Sequence, residues 1–476
     1  MKSNVVTWPA PAGEPASADF ELSVDGEPVF VYAARVRAEI LQNDGLWTHR
    51  PDCGSERAAF ALFDTRGPIE VAVRPKRAFR TARVLPARAG IVPEIRDGVI
   101  RFELKSPQHV TVLLDDTDES PLHLLVSAPE TDAPDPKDPN VLYFGPGVYE
   151  VQTVKVRSGQ TIYLAGGALV KAVLRPGEQG QYNEKWKVSF YSGRIFDVSD
   201  AEDVRICGRG ILDARLVPHP GRNMIGVSSS RRVRLSGITL RDAANWNVCL
   251  TDSDDVTVEN LRILSARLNS DGINSVNSRN VQVRRCFVRN HDDSIVAKAT
   301  EVGKPCERIC VEDCSIWCDW GYALGATYET RSPIRNVEFR RCNILSARHW
   351  CMGIHVSDSA TVSGVSFRDI EVADPAPALR QQGARACLTT RPKLVRLAIV
   401  ADVWGHDNAR GHIRDVLFDG IEVDGEAFPS SEVLGADAGH LVENVEFRNV
   451  RLRGKPAVAG VTELGIATNE FVNGIR

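Results

Sequence analysis

Short runs of alternating apolar and polar residues, separated by polar corners, fill most of this chain, and no helix-length apolar period interrupts them. Alternation with a period of two is the mark of strands that bury one face. In the second half these runs become a repeat. The copies read VRICGRGIL from Val204, VRLSGITL from Val233, VTVENLRI from Val256, VQVRRCFV from Val281 and ICVEDCSI from Ile309. They continue with VEFRRCNI from Val337, VSFRDIEV from Val365, VLFDGIEV from Val416 and VEFRNVRL from Val445. The starts lie 29, 23, 25, 28, 28, 28, 51 and 29 residues apart. Each copy is a short strand, a polar corner and a second strand, a unit that cannot bury its apolar face unless neighbours stack on it. The spacing predicts a parallel β-helix in which residues one repeat apart stand side by side. The 51-residue interval is two coils, or one coil with an insertion.

The region before the repeat has strands of another kind. FELSVDG, AAFALFD, IEVAVRP, VIRFELKS, HVTVLLDD and LHLLVSAP follow one another with turn signals between them, predicting an antiparallel β-sandwich over residues 1–127. Residues 128–140, rich in Pro and Asp, read as a linker. The β-helix then occupies 141–476, with VLYFGPGVYEV and GQTIYLAGGALVKAVL closing its near end and the segment after Lys455 capping its far end. RPGEQGQYNEKWKVSFYSGR (175–194) and DPAPALRQQGARACLTTRPK (374–393) break the period and read as insertions at coil corners.

Composition narrows the function. The net charge of -4 and the lack of a basic run interleaved with aromatics argue against nucleic-acid binding. No apolar stretch reaches membrane-span length, and the N-terminus lacks the apolar core of an export signal, so a cytoplasmic location is expected. No glycine-rich loop joins a strand to a helix, so no cofactor is implied. The sequence says nothing of oligomeric state. Cys286, Cys314 and Cys342 occupy one slot of successive repeats and are expected to stack inside as small apolar groups. Cys306, Cys310, Cys314 and Cys318 are four apart, which on one strand face is too extended to share a metal, so no metal site is expected.

Asn269-Ser270-Asp271-Gly272 and His291-Asp292-Asp293 flank the Val281 strand, with Asp271 and Asp292 21 residues apart, close to one coil. Each motif alone reads as a turn. Stacked, they bring three carboxyl groups together, each raising the proton affinity of its neighbours. Glycoside hydrolysis calls for such a set, with one carboxyl group protonated and another ionised.

Asn-x-Asp-Gly followed a coil later by Asp-Asp, with Asn245-Trp246-Asn247 before them, resembles the polygalacturonase-type β-helix glycoside hydrolases. The N-terminal sandwich is similar to the dextranase and isopullulanase branch of that clan. The resemblance, over roughly 140–455, implies a right-handed β-helix and hydrolysis with inversion, Asp292 as general acid, and Asp271 and Asp293 activating water. Two of the family's motifs are altered. Its Gly-His-Gly corresponds to Gly321-Tyr322-Ala323, and its Arg-Ile-Lys to His355-Val356-Ser357, which removes the cations expected to hold a uronate carboxylate. A neutral sugar is therefore the expected substrate. Its contacts are expected from Asn269, His291, Lys298, Trp320, Tyr322, Tyr328, Glu329, Trp350 and His355, with His349 nearby and Trp404 on a loop folded toward the cleft. The alternatives are glycosyl transfer, galacturonide hydrolysis, a lyase or epimerase recruiting Tyr322 or His355, and a non-catalytic carbohydrate-binding β-helix.

Overall fold

A computed structural model describes residues 4–476 except 39–40, 44–45, 49–54, 374–391, 408 and 459–460. The insertion expected at 374–393 thus lies almost wholly outside the described residues. Among them, three parallel sheets of 12, 11 and 11 strands wrap a right-handed β-helix. Each repeat phrase places its first strand in the first sheet and its second in the second. A third strand, entered after a loop, completes the coil. Val281, for example, pairs with Val256 on one side and Ile309 on the other.

Val365 pairs directly with Val416, so the long interval is one coil carrying an insertion. The tail departs from expectation. Ile466–Thr468 and Val472–Ile475 add last parallel strands to the third and first sheets, so the coil persists beyond the readable repeat.

Inward side chains stack in columns. Phe339, Phe367, Phe418 and Phe447 form one, with ring centroids 4.8–4.9 Å apart, the spacing of adjacent strands. Cys286, Cys314 and Cys342 form another, and Cys314 Sγ accepts the amide of Cys286. The four cysteines do not share a face, because Arg308 takes φ 57° within their first strand and the chain turns a corner between Glu312 and Ser315. Cys306, Cys314 and Cys318 are buried while Cys310 is half-exposed.

The N-terminal segment forms two packed sheets sharing a core of Phe20, Val71, Phe102, Ala61, Val112 and Leu124. Pairing is antiparallel except that Leu122–Ser127 runs parallel to Ser55–Thr65. One of these sheets also buries its second face. Tyr32, Phe60, Leu113 and Leu125 pack on Leu169, Ile211, Phe287 and Trp317, which project outward from the second sheet of the β-helix. That explains why His109–Leu114 and Leu122–Ser127 are buried at every position and read as continuous apolar runs. Polar clamps cross the same junction. Arg289 bonds His123 at 3.1 Å and Asp319 at 3.2 Å, while Arg35 bonds Asp242 at 2.7 Å.

Candidate active site

The acids sit where the chain enters the third sheet. Ile273, Ile295 and Leu324 are paired neighbours there, and counting back two residues from each gives Asp271, Asp293 and Tyr322. Trp350 and Lys393 continue this column, since Tyr322 pairs with Trp350 and Trp350 with Lys393. His355 is not the next member, as the repeat spacing implied. It lies five residues along the strand, opposite Thr327.

Two glycines allow the turns to stack so tightly. A Cβ on Gly272 would lie 2.2 Å from the Ser294 carbonyl oxygen. Gly321 has φ +77°, and a Cβ there would lie 2.7 Å from both the amide nitrogen and Oδ1 of Asp293. Two asparagines tie the acidic turns from behind. Asn247 donates to the carbonyls of Ser270 and Asp271, and Asn290 to those of Asp292 and Asp293.

Asp271, Asp292 and Asp293 each bring a carboxylate oxygen within 4.8 Å of the others, Asp292 being the least buried of the three. Their surroundings differ. Asp293 accepts the Tyr322 amide at 2.8 Å on Oδ1, and Thr327 Oγ1 at 2.8 Å and Lys298 Nζ at 3.3 Å on Oδ2. Asp292 accepts backbone amides, from Asn269 at 3.1 Å and Asp293 at 2.9 Å. Burial, then the negative charge of Asp293, pushes the Asp292 carboxyl up to about 7. Asp271 takes a single bond from Asn274, at 3.2 Å, and burial followed by the charge of Asp292 raises it well above the carboxylate range. The site therefore sets two carboxyl groups of raised proton affinity beside a third that accepts from three donors.

Lys298 is not a solvated strand end. It is 2 % exposed, donates to Glu329 at 2.9 Å as well as to Asp293, and lies over the rings of Trp246 and Tyr328. Those two acids keep its ammonium charged against the cost of burial. Asn269 adopts φ 53° at the turn and reaches Asp292 through its amide. Trp320 forms a backbone bridge to Asp292 and stands half-exposed beside it. Trp350 stacks on Tyr322 at 4.5 Å.

Two expectations change. The His291 ring is buried and tied through Nδ1 to the Ala266 carbonyl at 2.8 Å, so it serves the turn rather than facing a ligand. Tyr322 is fully buried, meets Asp293 through its amide, and turns its hydroxyl to Arg396 Nη1 at 3.0 Å. Neither Tyr322 nor His355 is set up as a lyase base. Burial raises the Tyr322 phenol, while burial and then the Arg396 charge bring His355 down to about 3.

Arg396 had no counterpart in the sequence reading. Its guanidinium bonds His355 Nδ1 at 2.8 Å, lies 5.1 Å from the Trp350 ring, and is paired with Glu432 at 2.6 Å. It pairs with Gly353 of the preceding coil, and the intervening insertion hides that register in the sequence. The site therefore does contain cations, but each is matched by an acid. Lys298 faces Asp293 and Glu329, and both Lys393 and Arg396 face Glu432.

Hydrogen-bonding capacity is left unused around these groups. Among the described residues, Asn274 Oδ1, both ring nitrogens of His349, His355 Nε2 and Ser357 Oγ are buried without a hydrogen-bond partner. His349 lies 3.5 Å, centroid to centroid, from Trp320. Orphaned polar atoms are rare in folded interiors, and a cluster of them beside aromatic faces marks a place shaped for a polar ligand.

Residues 219–378 match the glycosyl hydrolases family 28 profile. The solenoid carries a glycoside hydrolase domain. Its fold is that of Dex49A from Penicillium minioluteum, with TM-score 0.65 at 12% identity over 100% of this chain and 99% of that one. A hyperthermoactive exopolygalacturonase from Thermotoga maritima superposes with TM-score 0.53 at 15% identity, over 71% of this chain and 82% of its own. A polygalacturonase from Erwinia carotovora ssp. carotovora gives 0.51 at 15% identity, over 69% and 86%. No curated protein sequence matches the chain. This glycoside hydrolase thus stands among polygalacturonase- and dextranase-like β-helices.

Proposed function

We propose that this glycoside hydrolase cleaves a neutral oligo- or polysaccharide, with Asp292 as general acid, Asp293 as the base that takes a proton from water, and Asp271 orienting that water. The observation that carries this reading is the contrast between Asp292 and Asp293. Asp292 holds a proton to about pH 7 and is the most exposed of the three, whereas Asp293 accepts from three donors, one of them a lysine. In the reaction the Asp292 proton passes to the leaving glycosidic oxygen as its bond to the anomeric carbon breaks. Water bonds to that carbon and yields its proton to a neighbouring carboxylate.

Charge supports a neutral sugar. The cations beside the acids are already engaged, Lys298 by Asp293 and Glu329, and Lys393 and Arg396 by Glu432. A uronate would have to displace one of those acids, whereas hydroxyl groups can satisfy the orphaned atoms of Asn274, His349, His355 and Ser357 directly.

Inversion rests on the resemblance alone. Oxygens within 4.8 Å lie nearer than the roughly 6.5–9.5 Å separation of inverting pairs. Proton NMR of freshly released product gives the anomeric outcome. The substrate test is a panel of pectic oligomers beside neutral gluco-, galacto- and fructo-oligosaccharides. Turnover of a neutral member is expected, and turnover of polygalacturonate alone would overturn the neutral-sugar reading.

A further inference from the structure

Trp186 and Trp404 stack face to face, with ring centroids 4.7 Å apart and planes 19° from parallel, although 218 residues separate them in sequence. A second contact runs beside them, where Lys185 Nζ donates to the carbonyl of Val403 at 3.0 Å. Both partners are built to hold this position. Trp186 sits at the tip of the hairpin formed by Gln181–Asn183 and Val188–Phe190, whose root is clamped by Glu178 against buried Arg222. The Trp404 loop is held from below by Asp358, which accepts the amides of His406 and Asp407 on Oδ1 and that of Thr330 on Oδ2.

The two segments leave the solenoid from opposite edges of the third sheet. The hairpin precedes the strand Arg194–Ser199, and the Trp404 loop follows the strand Lys393–Ile399. Between those strands lie seven steps of the sheet, roughly 34 Å at about 4.8 Å per step. The strands beginning at Ile273 and Ile295, which the acids precede, fall inside that span. The limbs from Glu178 to Trp186 and from Trp186 to Arg194 can each reach roughly 26 Å, and the chain from Ile399 to Trp404 supplies roughly 16 Å more. Asp402, two residues before Trp404, lies 3.8 Å from His355, which places the loop over the outer face of the third sheet, the face that carries Lys298, Glu329 and Arg396.

We infer that this clasp is a strap over the substrate groove, and that Trp186 and Trp404 confine the enzyme to chain ends and short oligosaccharides. An internal stretch of a long polymer cannot enter a bridged groove sideways, whereas an end can be inserted beneath the strap. The inference rests on the hydrolase reading of the same groove.

The test has two arms. Near-ultraviolet circular dichroism of the full chain reads the clasp without any substrate. A coupled indole signal that disappears in both Trp186→Ala and Trp404→Ala and survives in neither single variant is expected, and its absence from the wild type would overturn the clasp. Hydrolysis of high-molecular-mass dextran and polygalacturonate is then followed by viscosity and by reducing ends together, on whichever polymer is cut. The wild type is expected to release reducing ends with little loss of viscosity, and both alanine variants to lose several-fold more viscosity per bond broken. Equal profiles for wild type and variants, or random internal cutting by the wild type, would overturn the inference. A wild type that shows the coupled indole signal but hydrolyses neither these polymers nor any panel oligosaccharide would sink the hydrolase reading, and this inference with it, while leaving the clasp in place.

Discussion

Lys298 lies 3.3 Å from Asp293, both almost wholly buried, and the contact sets Asp293 apart from its two acidic neighbours. Thr327 and the Tyr322 amide donate to the same carboxyl group. Asp292 accepts the backbone amides of Asn269 and Asp293 instead, and burial, then the negative charge of Asp293, favours its proton.

Replacing Asp292 by Asn removes the transferable proton and keeps the shape. Hydrolysis is expected to fall by about 10²–10⁴-fold, the usual worth of a positioned proton donor, while oligosaccharide affinity measured by calorimetry stays near the wild-type value. Unaltered turnover would show that these acids are corner residues.

The acid limb of the reaction sets its pH dependence. Asp292 must be protonated, and its carboxyl is raised from 3.8 to about 7. Activity is therefore expected to be retained below about pH 7 and lost as pH rises through that value, visible as a basic limb in kcat/KM. Stability follows the same sign. Between about pH 4 and 7 the folded protein holds this proton and the unfolded chain does not, so this group's contribution falls as pH increases. Denaturant midpoints measured across that interval check it.

Lys298→Met leaves Asp293 buried without its cation. Breaking a buried pair from one side costs about 3–5 kcal/mol, and urea unfolding is expected to show a loss of that order. The activity that remains should have a displaced basic limb, because the charge balance at Asp292 and Asp293 is altered.

Glu432 neutralises Arg396 through a 2.6 Å bond. Glu432→Gln should free the guanidinium for an anionic substrate and raise the ratio of galacturonide to neutral-sugar kcat/KM. A gain of about 1–2 kcal/mol corresponds to a factor of about 5–30. An unchanged ratio would show that Arg396 does not face the sugar.

Much of the site was legible because the repeat is also a ruler. Asp271, Asp292 and Asp293 converge as the one-coil spacing implies, and Tyr328 and Glu329 follow on the next strand, with Trp320 just before it. The ruler failed where coil length changes. A step of 21 or 22 residues separates the acidic turns and one of 29 separates Asp293 from Tyr322, so His355 was aligned with the wrong row and Trp350 takes its place. Arg396 was missed because an insertion precedes its strand. His291 was misjudged because adjacency in sequence does not say which way a side chain turns at a corner.

The sequence alone determined the β-helix, since stacking is the only way identical half-apolar strands can bury their faces, and it determined which acidic turns meet. The tertiary structure decided the rest. It alone showed that the outward face of the second sheet is covered by the N-terminal sheets, that Lys298 is enclosed among Asp293, Glu329, Trp246 and Tyr328, and that Trp186 reaches Trp404. Those contacts join distant residues, Trp186 and Trp404 being 218 positions apart, through loops of unequal length, and no local pattern of polarity encodes where such loops come to rest.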